Sequence, residues 1–299
     1  MRSTLIKNDI SDRIFSVLNF IFITAFMLLV LYPIIFVISA SFSDPDAIMS
    51  GEVWLYPVHP TLEGYMAALK YERIWTGFRN SLMYAGLGTV INVTLTVMAA
   101  YPLSRKDFAG RNIIMFIFAF TMWFSGGLIP TYILVRNLNM IDTIWAMLIP
   151  NAVGVWNIII TRTYLQTNIP VELLESARLD GCDDFRFIAK IVIPLSAPIL
   201  AVISLFYAVA HWNSYFNAFI YLSKRGLFPL QLILREIILL NQADDMLTGF
   251  DLADSEKRRY MSELLKYSTI IVSSLPVIII YPFVQKFFIK GIMVGAIKG

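Results

Sequence analysis

The chain has 299 residues, of which 58% are hydrophobic and 15% charged, and its mean hydropathy is +0.68. Soluble domains are about 45–50% apolar and about 25% charged, and part of any globule must face water, so a soluble enzyme is a poor interpretation. The net charge of +3 argues against a nucleic-acid binder, and a single cysteine, Cys182, argues against disulfides and CxxC metal sites. The composition predicts an integral membrane protein.

Apolar stretches without Lys, Arg, Asp or Glu indicate where the chain crosses the bilayer. A hydrocarbon core about 30 Å thick requires roughly 20 apolar residues in a helix, because backbone amides in lipid must be hydrogen-bonded within their own segment. Six stretches predict an all-α protein with transmembrane helices at 14–41, 80–104, 112–136, 142–163, 191–216 and 267–289. They form one domain at 14–290, between an N-terminal arm at 1–13 and a tail at 291–299.

Basic residues predict which span ends face the cytoplasm, because cytoplasmic loops carry an excess of Lys and Arg. Such residues occur in the arm, in the loops after the second and fourth spans, and near the C-terminus, which six spans place on one side. The first loop on the opposite side is acidic. We therefore predict that both termini are cytoplasmic, and that residues 217–266 form a long extracytoplasmic loop.

The predicted cytoplasmic loop at 165–190 carries strong local signals. Pro170 suits the first turn of a helix, since its missing N–H has no helical partner there. We expect this helix to run to about Asp180, where Gly181 adopts a left-handed or tight turn that other residues resist. Asp183 suits the start of a second short helix that runs towards Pro194. The two helices form an elbow (residues 170–194), either a docking surface or a solvated connector.

The elbow resembles a known motif. The run from Glu175 to Gly181 (Glu-Ser-Ala-Arg-Leu-Asp-Gly), followed by the Pro-Leu-Ser-Ala-Pro run at 194–198, is similar to the EAA loop of binding-protein-dependent ABC importer permeases. The loop also lies where that family has it, before the penultimate span on the cytoplasmic side. Ser176 and Cys182 stand where alanine is commoner in the family.

Within that superfamily, the chain is similar to the second permease of maltose-type carbohydrate importers. The six spans, the Trp212-Asn213 pair closing the fifth span and the glycine-spaced tail at 290–299 carry this resemblance. It implies the fold of a type I ABC importer permease. An extended stretch at 243–264 resembles a subgroup associated with oligosaccharides cut from complex polysaccharides.

The resemblance also implies a coupling role for the elbow, in which a short helix seats in a cleft of an ATPase subunit. Glu175 would contact the ATPase, Ala177 would permit close approach, Asp180 would help to fix the turn and Gly181 would set the angle between the helices. The implied coupling residues are Leu174, Glu175, Ser176, Ala177, Asp180, Gly181 and Phe185.

The same resemblance implies the partners and the location. The partners are a companion permease in a heterodimer, two copies of an ABC ATPase, an extracytoplasmic solute-binding protein and membrane lipid, with no nucleic acid. No cofactor is expected on this chain, because the ATPase would bind ATP and Mg. The expected location is the bacterial cytoplasmic membrane, with several crossings.

Aromatic rings and amides that could contact a sugar lie in two regions. Aromatic rings cover the C–H faces of sugars, and amides replace hydrogen bonds to water. The candidates are Trp123, Trp156 and Asn157 in the first region, and His211, Trp212, Asn213, Tyr215 and Asn217 in the second. The second region lies at a span end, so it could instead belong to an aromatic belt at the membrane boundary. In the family that the chain resembles, the companion permease can hold the solute by itself.

The tail has two interpretations. A flexible, solvated end is the default for any terminus. The resemblance instead suggests that the tail reaches the ATPase, with Gly295, Lys298 and Gly299 as candidate contacts.

Other function classes fit the sequence less well. There is no GxxxxGK[ST] loop and no HExxH motif, so the energy for transport would come from a separate ATPase subunit. An ion-coupled carrier predicts acidic residues inside the membrane, and the charge-free cores of the six spans lack them. A channel or scaffold leaves the EAA-like loop unexplained. We expect the permease subunit of an importer for an oligosaccharide, which could be an acidic one. The alternatives are an importer of a non-sugar solute and an ion-coupled transporter.

Overall fold

The structure is a computed structural model that describes residues 10–246 and 252–296, which form helices, turns and bends without any strand. The α-helices in chain order are α1 (Ile10–Ser41), α2 (Pro45–Met49), α3 (Glu63–Lys70), α4 (Glu72–Ser104), α5 (Arg111–Trp123), α6 (Leu128–Asn137), α7 (Trp145–Leu148), α8 (Val155–Asn168), α9 (Val171–Leu179), α10 (Asp184–Phe187), α11 (Ile193–Leu195), α12 (Ala197–Trp212), α13 (Phe216–Tyr221), α14 (Leu230–Met246) and α15 (Leu252–Ala296). A π-helical segment, Ile188–Val192, joins α10 to α11, and a 3-10 turn, Arg225–Leu227, precedes α14.

Three helices are long and apolar enough to cross a bilayer by themselves: α1, α4 and the part of α15 at Arg259–Pro282. Two further candidates are helix pairs bent at a short break, α5 with α6 at 112° and Asp184–Leu195 with α12 at 83°. By length and composition, the two described stretches of the chain thus contain three to five candidate spans. The predicted all-helical membrane fold is confirmed.

Glycine and proline account for the break in the third predicted span. α5 ends at Trp123, and Gly127 has a φ of +85°, a conformation that favours glycine, just before α6. Pro130 follows in the first turn of α6, where a missing N–H loses no helical hydrogen bond. The helix expected over 112–136 is therefore two helices.

The fourth predicted span differs most from the structure. Residues 142–163 contain the four-residue α7 and the first part of the 14-residue α8. The turn between the two helices contains Pro150 and Gly154. Neither helix has the roughly 20 residues that one crossing needs. This span was predicted from its lack of charged residues, and that criterion does not distinguish one helix from two.

Residues 217–266, predicted as a long extracytoplasmic loop, are largely helical where the structure describes them. They include most of α13, the 3-10 turn, α14 and the start of α15. Most of the 243–264 extension belongs to α14 and α15, whereas residues 247–251 lie outside the described residues. The charge-free criterion missed α14 and the start of α15 because both carry charged side chains, such as Arg235 and Glu236 of α14.

The chain divides into two compact units, and the first is drawn from Met1–Lys70 and Ile237–Val272. In this unit, α1 exposes apolar side chains over most of its length, as expected for a helix in lipid, and buries its last three residues. At Gly64, α3 and α15 approach so closely that an added Cβ would lie 2.8 Å from the carbonyl oxygen of Leu264.

The second unit is drawn from Tyr71–Glu236 and Ser273–Gly299. Its centre is formed by α4, α8 and α12, which pack against one another. At the end of α4, a hydrophobic cluster joins α4 and α8 to the elbow. The buried members of this cluster are Ala100, Tyr101, Leu103, Ile158, Leu165, Ala177, Phe187 and Val192.

Candidate coupling site and pathway residues

The turn of the elbow has the hydrogen bonds of a Schellman motif. α9 ends at Leu179, Gly181 has a φ of +75°, and its N–H donates to the carbonyl of Arg178. The N–H of Cys182 donates to the carbonyl of Ala177 over 2.9 Å. These bonds satisfy carbonyls that the helix end would leave unpaired. A Cβ on Gly181 would meet no atom within 4 Å, so glycine is needed here for its conformation and not for space. The predicted helix and turn are confirmed.

The second helix of the elbow begins as the sequence predicts. The carboxylate of Asp183 accepts a hydrogen bond of 2.7 Å from the backbone N–H of Arg186, which is an N-cap. α10 then continues through the π-helical segment and α11 to Leu195. The two caps together fix where one helix stops and the next begins.

The elbow has an inner and an outer face. On the inner face, Ala177 and Phe187 are 8% and 2% exposed within the hydrophobic cluster. On the outer face, Leu179 and Phe185 are 90% and 83% exposed. Side chains as exposed as these are available for contact with another protein.

The predicted coupling residues divide between these faces. Leu174 packs against the hydrophobic cluster beside Ala177, so both contact their own chain. The remaining predicted residues, Glu175, Ser176, Asp180, Gly181 and Phe185, are exposed. Contact of these residues with an ATPase stays a prediction.

A charged network attaches the elbow to the loop after α4. Arg105 donates to Tyr101 Oη over 3.2 Å, to both carboxylate oxygens of Asp107 over 2.5 and 2.9 Å, and to Asp184 Oδ1 over 2.8 Å. Arg178 of α9 lies 3.9 Å from Asp107 and 3.8 Å from Asp184. The side chain of Arg105 is only 13% exposed, so water screens its contacts less than those of an exposed pair. We call Arg105, Asp107, Arg178 and Asp184 the elbow network.

These contacts change the proton affinities of their members. The hydrogen bond from Arg105 lowers the pKa of Asp107 to about 2. The hydrogen bond to Asp107, followed by the one to Asp184, raises the pKa of Arg105 above its already high ordinary value. Both groups are therefore charged at neutral pH, and the attraction between them is fully present there.

A cavity of about 460 Å³ opens between this loop and the elbow. The ends of α4 and α8 and the start of α9 line it, and Glu175, Arg105 and Arg178 contribute charge to its wall. Glu175 thus borders a recess that has room for a side chain from another molecule.

Two predicted pathway residues lie inside the helix bundle. His211 is 6% exposed, and its Nε2 lies 3.1 Å from Nδ2 of Asn92, a residue of α4 that is 1% exposed. A Cβ added to Gly88 would lie 2.3 Å from the same His211 nitrogen, so α4 and α12 meet closely here. Trp212 is 4% exposed and donates from its indole N–H to the carbonyl of Ser273 over 3.0 Å. His211 and Trp212 hold helices together in this chain.

The other predicted pathway residues are spread over several elements. Trp123 and Trp156 are exposed, whereas Asn157 is buried. Asn213 and Tyr215 are exposed, Asn217 is half-buried, and the Arg235 guanidinium lies 5.8 Å from the centre of the Tyr215 ring. The structure therefore does not bring the eight residues into one site within this chain.

Two important residues were missed by sequence reasoning. In the sequence, Arg105 is one of several basic residues in the loop after the second predicted span, and its partner Asp184 lies 79 positions away. Asn92 could have been noticed, because a lone amide in the middle of an apolar span often hydrogen-bonds to another helix. Its partner could not have been identified in this way.

Only one of the three candidate tail residues lies within the described residues. Gly295 lies in α15, and Lys298 and Gly299 lie outside the described residues, so their contact with an ATPase stays a prediction.

Within 10–246 and 252–296, no three His, Cys, Asp or Glu side chains come together as metal ligands could.

Comparison with known proteins assigns the family. A family described as the binding-protein-dependent transport system inner membrane component matches residues 92–293. The chain belongs to this family. Membership confirms the resemblance of the elbow to an EAA loop, and it makes the chain a membrane transport subunit rather than an enzyme. A binding-protein-dependent system implies a partner permease, a separate ATPase and a binding protein.

Individual relatives match along almost the whole chain. It is 38% identical to the polygalacturonan/rhamnogalacturonan transport system permease protein YtcP of Bacillus subtilis (strain 168), over 96% of this chain and 99% of the relative. It is 32% identical to protein LplC of the same organism, over 98% and 97%. A solved structure of a bacterial ABC transporter involved in the import of the acidic polysaccharide alginate has a similar chain, with a TM-score of 0.84, 37% identity and coverage of 94% and 98%.

Proposed function

We propose that this chain is one of two permease subunits that form the pathway of an ATP-driven importer for an acidic oligosaccharide. The companion permease completes the pathway, two ATPase subunits bind ATP and Mg on the cytoplasmic side, and an extracytoplasmic binding protein delivers the solute. The observation that carries the proposal is the full-length similarity to YtcP at 38% identity. The similar solved transporter is involved in the import of alginate, an acidic polysaccharide, and this supports the same class of solute.

The geometry of the elbow supports the way in which this chain is driven. Its outer face presents Leu179 and Phe185, and Glu175 borders the cavity beside it. We propose that this face seats on an ATPase subunit. ATP shifts the permease towards one state only as far as it binds that state better, so the closed ATPase pair must hold the elbow in a different position from the open pair.

A first experiment tests the coupling role in the purified complex reconstituted in lipid. Gly181→Pro removes the N–H that donates to Arg178 and cannot adopt a φ of +75°. Glu175→Lys reverses the charge at the cavity. We expect each change to lower the stimulation of ATP hydrolysis by solute-loaded binding protein about fivefold or more, within the range typical of coupled sites.

Glu172→Lys is the matched control for Glu175→Lys, because it makes the same charge change at another exposed position of α9. It should keep the stimulation close to that of the original protein. Full stimulation in both the Gly181→Pro and the Glu175→Lys complexes contradicts the coupling role.

A second experiment tests the solute. In the host cell, deletion of this chain should abolish uptake of a labelled galacturonic-acid oligosaccharide and leave uptake of a neutral glucose oligosaccharide of equal length unchanged. Loss of only the neutral uptake would refute an acidic solute. Loss of neither would favour the alternative, an importer of a non-sugar solute.

A further inference from the structure

Arg105 joins four segments of the chain at the end of α4. It is the first residue after α4, and its guanidinium reaches Asp107 in the following loop and Asp184 in the first turn of α10. Its backbone carbonyl accepts a hydrogen bond of 3.0 Å from Arg111, the first residue of α5. Through Asp184 and Asp107 it is also close to Arg178 of α9. Arg105 thus connects the main helix of the second unit directly to α10 and, through Asp107 and Asp184, indirectly to α9.

The contacts of Arg105 differ in kind from the rest of the attachment between α4 and the elbow. The hydrophobic cluster around Ala177 and Phe187 resists separation, but apolar contact is not directional and allows sliding. A guanidinium has a planar, rigid arrangement of donors, and paired charged hydrogen bonds fix position as well as distance. The bonds of Arg105 to two carboxylates therefore define where α10 lies relative to the end of α4.

The end of α4 is itself fixed to the remaining bundle. Arg162 of α8 donates from Nε to the carbonyl of Leu103 over 2.9 Å. Further along α4, Thr96 and Tyr207 of α12 share a hydrogen bond of 2.7 Å between their hydroxyl groups. A displacement of the α4 end would thus be resisted by, and passed to, the helices at the centre of the unit.

We propose that Arg105 is the positioning residue that makes the elbow and α4 move as one body. This inference rests on the proposed coupling function, and it adds the link between the elbow and the membrane helices. When an ATPase moves the outer face of the elbow, the elbow network carries that displacement to α4. Without Arg105, the elbow shifts on its apolar inner face, and α4 follows it incompletely.

The test uses the complete complex of both permeases, the ATPase and the binding protein in lipid vesicles. The readout is the ratio of ATP hydrolysis with and without solute-loaded binding protein, measured on complexes that contain equal amounts of ATPase. Arg105→Gln should lower this ratio about fivefold or more. Arg105→Lys, which keeps the charge without the fork of donors, should lower it less. Lys190→Gln is the matched control, since it removes one positive charge from an exposed residue that neither lines the cavity nor belongs to the elbow network, and it should leave the ratio unchanged.

A double mutant separates positioning from general damage. If Arg105 acts through Asp184, the Arg105→Gln, Asp184→Asn pair should lose no more stimulation than the worse single variant. Losses that multiply would overturn the proposal. It would also be overturned if Arg105→Gln only reduced the yield of assembled complex while the ratio stayed normal, because that is the result expected of a purely structural residue.

Glu175→Lys in the same assay separates a failure of the proposed role of Arg105 from a failure of the proposed coupling function. If Glu175→Lys removes the stimulation and Arg105→Gln does not, the elbow is coupled and the role of Arg105 is refuted. If Glu175→Lys, Gly181→Pro and Arg105→Gln all keep full stimulation, the proposed coupling function itself fails.

Discussion

α4 carries two polar networks whose chemistry differs. Beyond its end, Arg105 binds the carboxylates of Asp107 and Asp184. Inside the bundle, Asn92 meets the imidazole of His211, beside Gly88. The first network is made of full charges, and the second is made of neutral groups at a close approach of two helices.

The difference follows from the solvent around each network. Charges are expensive inside a bilayer, whereas small residues and neutral hydrogen bonds allow membrane helices to pack closely. Near water, ion pairs carry a smaller desolvation penalty, and they fix geometry in a way that apolar contact does not. The inner network thus holds α4 to α12, and the elbow network attaches the elbow, which we propose is moved by an ATPase subunit.

Overpacking the inner network should have the largest effect. A Cβ at Gly88 would lie 2.3 to 2.6 Å from three atoms of the buried His211 ring, so Gly88→Val must displace this ring or separate α4 from α12. We expect a loss of about 1–3 kcal/mol of stability, the usual range for overpacking. The measurement is thermal unfolding of the purified subunit or complex in detergent.

Gly86→Val is the matched control, because a Cβ at Gly86 on the same helix would meet no atom within 4 Å. It should change stability much less. His211→Ala should recover part of the loss caused by Gly88→Val, since it removes the ring that clashes. Equal destabilisation by the two glycine variants would contradict the close approach of α4 and α12.

A change at the elbow turn should be smaller and local. Gly181→Val places a branched residue at a φ of +75°, which costs about 1–2 kcal/mol, whereas Asn tolerates this conformation better. Hydrogen exchange of the backbone amides at 171–187 should therefore be faster in Gly181→Val than in Gly181→Asn, with little change in α12. The prediction fails if both variants protect the elbow as well as glycine does.

The sequence predicted the elbow well because its signals are local. Pro170, Gly181 and Asp183 act on their own turns of the chain, and the structure has the predicted helix ends at each. The family resemblance at Glu175 to Gly181 likewise depends on adjacent residues, and membership of the family confirmed it.

The sequence predicted less where the outcome depends on distant residues. The partnership of Asn92 with His211 spans 119 positions, and that of Arg105 with Asp184 spans 79. His211 is a residue type that often contacts sugars, yet here its ring is buried beside Gly88 of α4. The span predicted at 142–163 is two helices for another reason. Pro150 and Gly154 interrupt the helix, and a count of charge-free residues ignores residues that break helices.

The neutral pair inside the bundle should contribute less than either glycine. Hydrogen bonds between membrane helices contribute on average about 0.6 kcal/mol and reach about 1.7 kcal/mol. Asn92→Leu or His211→Leu alone should lower stability by an amount in this range, because each leaves a buried polar partner. The double variant should be less destabilised than the sum of the singles in a thermal-unfolding cycle, and strict additivity would show that the two side chains do not interact.

The smallest expected effect is a pH dependence of the elbow network. The pKa of Asp107 is lowered to about 2 by its hydrogen bond from Arg105, against about 3.9 for an unperturbed Asp. Its contribution is therefore complete above about pH 4 and is lost as the pH falls towards 2, because the unfolded chain takes up the proton first. Asp107 is 56% exposed, so solvent screening keeps this contribution below about 1 kcal/mol. Hydrogen exchange of the elbow should accelerate between about pH 4 and 2, corrected for the intrinsic pH effect, more in the original protein than in Asp107→Asn. Identical slopes for the two proteins would show that Asp107 does not hold the elbow through its charge.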